Sequence, residues 1–153
     1  MTIQIVKIVA VGLILGAVSG MAEQSESGKI AVVNGKQSEN EKVAVACAEQ
    51  WLGLVDEGKY GESWKEAAEY LRNAVKQEQW KQGMQAGRKP LGTLVSRNVK
   101  SASYMTSLPG APDGEYVLIE FETSFEKKAK AIEMVTPMMD KDGKWRVAGY
   151  TIN

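Results

Sequence analysis

The hydrophobic pattern of this chain changes its period once, and that change limits the possible folds more than any other feature. Up to Leu91-Gly92, apolar residues recur at the spacing of amphipathic helices. From Val95 onward, they alternate with polar residues, as in strands that are covered on one face. Helices followed by consecutive strands indicate the α+β class rather than alternating α/β units.

The helical part of the pattern contains three segments. A Ser38-Glu-Asn-Glu41 capping box predicts the start of the first helix, and Gly58 marks its end. The second segment spans Tyr60 to Val75, and the third is centred on Trp80 and must end before Pro90. The sequence therefore predicts three short N-terminal helices, each with one apolar face.

The strand part of the pattern contains four segments, at residues 95–100, 117–125, 129–138 and 144–152. Asp142-Gly143 predicts a tight turn before the last segment. Gly149 within that segment predicts a bulge or a close backbone approach. We therefore expect a curved, four-stranded antiparallel sheet packed on the three helices.

The N-terminal residues have the pattern of an export signal. Lys7 precedes an 11-residue apolar run from Ile8 to Val18, and small residues follow. The run suits a cleaved secretory signal better than a retained anchor, since a membrane span needs about 20 apolar residues. We expect a signal peptide at residues 1–22, a flexible lead-in at 23–37 and a single α+β domain at 38–153. The mature protein would be periplasmic or secreted, without a stable membrane span.

The composition excludes several kinds of chemistry. The chain has no histidine, which rules out nucleophile–histidine pairs, imidazole zinc sites and histidine-dependent dehydration. The single Cys47 cannot form an internal disulfide, and its place on an apolar helical stripe favours a small buried hydrophobe over a reactive thiol. Lys+Arg and Asp+Glu both number 19, so bulk charge gives no reason to expect nucleic acid. We expect no metal and no cofactor.

Two charged residues fall among apolar neighbours in the strand segments. Arg97 shares its strand parity with two valines, and Glu133 shares its parity with an alanine and a valine, so both are predicted to face inward. They either receive a polar ligand on the concave face or form a structural ion pair that closes the sheet. A set of aromatic residues either lines a pocket or forms the core. This set is Trp51, Tyr60, Trp64 and Tyr150.

Short motifs rich in tryptophan, arginine and glycine are spread through both halves of the chain. They are Trp51-Leu52, Asp56, Tyr60, Trp64, Arg88–Gly92, Ser96-Arg97, Pro112–Tyr116, Glu133 and Trp145–Tyr150. Together they resemble the bacterial domain-of-unknown-function family 4019, over about residues 43–152. The resemblance implies a small exported bacterial protein with no assigned activity. In topology alone, the predicted order is also similar to the cone-like cystatin and nuclear transport factor 2-like folds.

Three functions are compatible with these sequence patterns. The first is a non-catalytic periplasmic module that binds a small-molecule ligand in a cone pocket or uses the outer face of its sheet. The second is an isomerase- or dehydratase-like enzyme with a buried carboxylate as base. The third is a structural module that forms a homodimer through the sheet face. We favour the first, and we assign no catalytic residue.

Overall fold

The computed structural model describes residues 30–153, with side chains from Glu39 onward. These residues form helices followed by strands, and the predicted α+β class is confirmed. The helices are α1 (Ile30–Asp56), α2 (Tyr60–Lys65), α3 (Glu69–Ala74) and α4 (Gln77–Gly87), with a 3₁₀ turn at Lys89–Leu91. The strands are β1 (Leu94–Met105), β2 (Tyr116–Phe125), β3 (Lys128–Met139) and β4 (Trp145–Ile152).

The first helix begins upstream of its predicted start. It runs from Ile30, so the Ser38–Glu41 segment that was expected to cap it lies inside it. No proline interrupts residues 30–41, and serine and asparagine are tolerated within a helix that has already nucleated.

The predicted signal peptide and the first part of the predicted lead-in lie outside the described residues. None of the helices within residues 30–153 combines the length and the apolar character needed to cross a membrane.

The second predicted helix is divided into α2 and α3. The chain becomes extended at Ala68, which has φ −57° and ψ 149°, before α3 begins. The backbone N–H of Ala68 donates to the carbonyl oxygen of Val147 in β4 at 2.8 Å. This hydrogen bond replaces the one that the Ala68 N–H would donate within a continuous helix, and it satisfies the same buried donor. Docking on the last strand therefore explains the break.

The four strands form one antiparallel sheet in the order β1-β2-β3-β4. Irregular pairing interrupts each strand pair and bends the strands. One such irregularity leaves Ala148 as an extra residue between the partners of Thr136 and Pro137. It adjoins Gly149, where the sequence predicts a bulge. Gly143 has φ +79° in the turn before β4, which is the left-handed conformation that the predicted tight turn requires.

The inner face of the sheet packs against the helices and forms the core. Every second residue of β2 is buried there, together with large aromatic side chains from α1, α4 and β4. The predicted parity holds for Arg97, which faces inward, but its neighbours Val95 and Val99 are 67% and 42% exposed. The reason is that β1 is an edge strand with irregular pairing beside both valines. In this part of β1, the side chain that is largely buried is therefore the charged Arg97, whereas alternation predicts that the two valines are buried with it.

Candidate functional site

Arg97 and Glu133 form a direct ion pair inside the protein. Arg97 Nε lies 2.6 Å from Glu133 Oε2, and Arg97 Nη2 lies 3.2 Å from Oε1. Strand β2 separates their strands, since Arg97 pairs with Thr123, and Phe121 pairs with Glu133. The long guanidinium side chain reaches across β2 to the carboxylate. The structure thus brings together the two charged residues that the sequence places on the inner face.

The Glu133 carboxylate is completely buried, at 0% exposure, and both of its oxygens are bonded. Thr123 Oγ1 donates to Oε2 at 2.6 Å, and Tyr150 Oη donates to Oε1 at 2.5 Å. Burial, reinforced by the negative charge of Glu133, raises the pKa of Tyr150 well above its usual value. The phenol therefore stays protonated and serves as a donor. Such bonds are what a buried carboxylate requires.

Asp56, at the end of α1, extends this network to the helices. Its Oδ2 accepts from Arg97 Nη1 at 2.7 Å, and its Oδ1 accepts from Arg97 Nη2 at 3.0 Å. Arg88, just after α4, donates from Nη2 to the same Oδ1 at 3.0 Å. Arg88 also donates from Nη1 to the Gly92 carbonyl at 2.9 Å and stacks 4.2 Å above the Phe125 ring. Two arginines are thus held by two carboxylates.

These four side chains form a neutral cluster, which we call the ionic network; its members are Asp56, Arg88, Arg97 and Glu133. Burial opposes the charge of Arg97, but its bonds to Asp56 and Glu133 more than offset this, and its pKa is raised. The network joins α1, the end of α4, the edge strand β1 and the inner strand β3. It therefore connects the helical half of the fold to the sheet half.

Three of the four aromatic candidates are held by bonds within the protein. Trp51 and Tyr150 are 4% and 2% exposed, and their rings meet edge to face at 5.3 Å. Trp51 Nε1 donates to the Ser63 carbonyl, and Trp64 Nε1 donates to the Val75 carbonyl, both at 2.8 Å. Trp51 and Tyr150 are core residues, and Trp64 lies half-buried at the edge of the core.

Tyr60, the fourth aromatic candidate, is also a core residue, at 7% exposure, and it borders the surface near the ionic network. It lines an open cavity of about 350 Å³, which we call the rim cavity. The other lining residues are Asp56, Glu57, Gly58, Gln85, Arg88, Lys89, Gly92 and Thr93. The Tyr60 hydroxyl makes no hydrogen bond in the described part of the chain. The backbone carbonyl of Tyr60 accepts one from the Ser63 hydroxyl. Burial and, less strongly, Asp56 raise the pKa of Tyr60, although Arg88 opposes the shift. The phenol of Tyr60 therefore stays protonated at neutral pH.

Sequence reasoning gave no site role to three residues of this arrangement: Asp56, Arg88 and Thr123. Asp56 and Arg88 lie at helix ends, where a periodic pattern does not define a face. Their place in the motifs that carry the family resemblance is the one signal that could have indicated them. Thr123 has inward parity between two phenylalanines, so alternation alone could have identified it.

Residues 47–150 of the chain match the model of a protein family whose description is "Protein of unknown function (DUF4019)". The chain belongs to this family. The matched range runs from α1 to β4 and contains every member of the DUF4019 protein's ionic network. No curated protein and no solved structure matches the chain. The likeness to the cystatin and nuclear transport factor 2-like cones therefore stays a prediction.

Cys47 of the DUF4019 protein lies half-buried between α1 and β4. Its Sγ donates to the Trp145 carbonyl at 3.2 Å. Burial raises the pKa of this thiol to about 11, although the positive charge of Arg146 opposes the shift. A protonated thiol is a poor nucleophile and a poor metal ligand.

Within residues 39–153, no cluster of three or more cysteine, aspartate or glutamate side chains is placed to hold a metal ion.

Proposed function

We propose that this DUF4019 protein is a non-catalytic binding module outside the cytoplasm, and that it binds a small-molecule ligand in the rim cavity. The observation that supports this is the surface end of the ionic network. There, Asp56 and Arg88 line an open cavity of about 350 Å³ beside the unused hydroxyl of Tyr60. Convergent polar groups in a concave site are typical of ligand-binding pockets. Export rests on the N-terminal signal pattern at residues 1–22.

The geometry favours binding over carboxylate catalysis. A general base must come within hydrogen-bond distance of the proton that it removes. Glu133 is fully buried, and its oxygens already accept bonds from Arg97, Thr123 and Tyr150. Asp56 is more accessible, but two guanidinium groups occupy both of its oxygens. The isomerase- or dehydratase-like function is therefore the weaker alternative.

Filling the rim cavity should abolish ligand retention. Gln85 is an exposed α4 residue that lines the cavity, so Gln85→Trp will obstruct it without entering the core. We expect native mass spectrometry to show a co-purifying small molecule on wild-type protein isolated from its own compartment. The same measurement on Gln85→Trp should show the unliganded mass.

The matched control is Gln82→Trp, which adds the same side chain at an exposed position of α4 that does not line the cavity. This variant should retain the molecule as the wild type does. Two outcomes would overturn the proposal: an unliganded wild-type protein in repeated preparations, or retention of the molecule by Gln85→Trp.

A homodimer through the outer sheet face is a second candidate function. Partly exposed apolar residues on that face favour it: Leu118, Ile132, Met134 and Met138. In a two-fold dimer the same patch is contributed by both subunits, so Met134→Lys would introduce two positive charges into one interface. Sedimentation equilibrium should then show a dimeric wild type and a monomeric variant. A wild type that remains monomeric at high concentration contradicts this candidate.

A further inference from the structure

Both acidic residues that line the rim cavity are already engaged. The Asp56 carboxylate accepts three hydrogen bonds from Arg88 and Arg97. The Glu57 carboxylate lies 2.6 Å from Lys59 Nζ. Glu126 accepts the Thr93 N–H at 3.4 Å, but Glu126 is not among the lining residues. The cavity therefore offers few free acceptors to a ligand.

The same cavity has unused donors. The Tyr60 hydroxyl makes no bond within residues 39–153, and the Lys89 ammonium is exposed without a carboxylate partner in the described part of the chain. Arg88 is 3% exposed, and its Nε is a buried donor without a hydrogen-bond partner among the described residues. A buried guanidinium nitrogen left without an acceptor is costly, so native proteins rarely contain one. A ligand acceptor can satisfy this nitrogen if the residues that cover it move slightly, since Arg88 itself lines the cavity.

We infer that the rim cavity binds a small oxyanion, a carboxylate or phosphate group, with Tyr60, Arg88 and Lys89 as its donors. A guanidinium group suits such ligands because its N–H groups match the geometry of carboxylate and phosphate oxygens. The cavity volume of about 350 Å³ accommodates one such group and a small attached molecule. This inference rests on the proposed function, because it names the ligand class of the same cavity.

The side-chain Nε–H resonance of Arg88 in a ¹H–¹⁵N NMR spectrum provides a local probe. Sodium acetate, sodium phosphate, methylammonium chloride and glycerol are titrated separately into the full mature protein at constant ionic strength. We expect the Arg88 resonance to shift and saturate with acetate or phosphate, and to show no saturable change with methylammonium or glycerol. Comparison of acetate with phosphate tells which of the two oxyanions the cavity prefers.

The Tyr60→Phe variant tests the contact directly. It removes only a hydroxyl that makes no bond within residues 39–153, so the fold should be unaffected. We expect anion binding to weaken about tenfold, the effect of one hydrogen bond to a charged ligand. The matched control is Tyr70→Phe, since the Tyr70 hydroxyl bonds to the Gly110 carbonyl and does not line the cavity. That variant should bind as the wild type does.

The outcomes separate the ligand class from the proposed function. If methylammonium or glycerol saturates the Arg88 shift and the anions do not, the oxyanion class is wrong while binding in the rim cavity stands. If no probe shifts Arg88, yet Gln85→Trp loses a retained molecule, the oxyanion class is again wrong and the cavity is still a binding site. If no probe shifts Arg88 and no molecule is retained, both proposals fail. Equal affinities of Tyr60→Phe and the wild type would exclude Tyr60 as a donor.

Discussion

Replacing Arg97 with methionine will lower the free energy of unfolding by about 3–5 kcal/mol, the usual effect of removing one partner from a buried ion pair. Glu133, at 0% exposure, would lose the guanidinium that now lies 2.6 Å away. Asp56 would lose two of its three hydrogen bonds at the same time. Chemical denaturation followed by tryptophan fluorescence measures the change.

A second variant shows whether unpaired charge causes this loss. The double change Arg97→Met with Glu133→Leu removes both charges of the pair and leaves apolar groups of similar size. It should recover part of the lost stability, because apolar replacement of a whole buried pair is often neutral. The recovery will be incomplete, because the Thr123 and Tyr150 hydroxyls lose their acceptor when Glu133 is replaced. Asp56 remains bonded to Arg88 in both variants. A double variant as unstable as the sum of its single variants would contradict an electrostatic cause.

The Arg97 variant also separates the two interpretations of the Arg97–Glu133 pair. Arg97 belongs to the ionic network but does not line the rim cavity. We therefore expect Arg97→Met to retain the co-purifying molecule at temperatures where the variant is folded. Large stability loss with unchanged retention would make the pair structural. Loss of the molecule from the folded variant would instead assign Arg97 a direct part in binding.

The fold class could be predicted because periodicity is a local property of the sequence. The change from helical spacing to alternation near Gly92 predicts helices before a sheet, and the structure has this order. Parity also placed Arg97 and Glu133 on the same inner face. Parity does not show that the two residues are in contact. The strand register is needed for that, because it determines which inward residues are neighbours.

Long-range contacts explain what the sequence pattern could not predict. The break between α2 and α3 depends on the bond from Ala68 to Val147, and no local signal at Ala68 indicates that strand. Likewise, the exposure of Val95 and Val99 follows from edge position and irregular pairing. Asp56 lies near Arg97 only because the end of α1 packs beside the edge strand. Charged residues at element ends are therefore the hardest part of such a site to predict.

Replacing Trp80 with alanine will have an effect comparable to that of the Arg97 change, but for a different reason. Trp80 is 0% exposed, packs 5.9 Å from the Trp51 ring and donates from Nε1 to Ser63 Oγ at 3.0 Å. Its removal leaves a large cavity between α4 and α1, and Ser63 Oγ loses the hydrogen bond that it accepts from Trp80. Such substitutions cost about 3–5 kcal/mol. Denaturant titration of the variant, followed by circular dichroism, measures the loss.

The conservative change Trp80→Phe separates cavity formation from the lost hydrogen bond. Phenylalanine keeps much of the ring volume but cannot donate to Ser63, so the cost should be about 1–2 kcal/mol. Ser63 Oγ still donates to the Tyr60 carbonyl in that variant, so its local turn should persist. If Trp80→Ala costs no more than Trp80→Phe, then α4 moves to fill the space. The packing of α4 against α2 would then be adjustable, and Tyr60 and Arg88 at the rim cavity would move with these two helices.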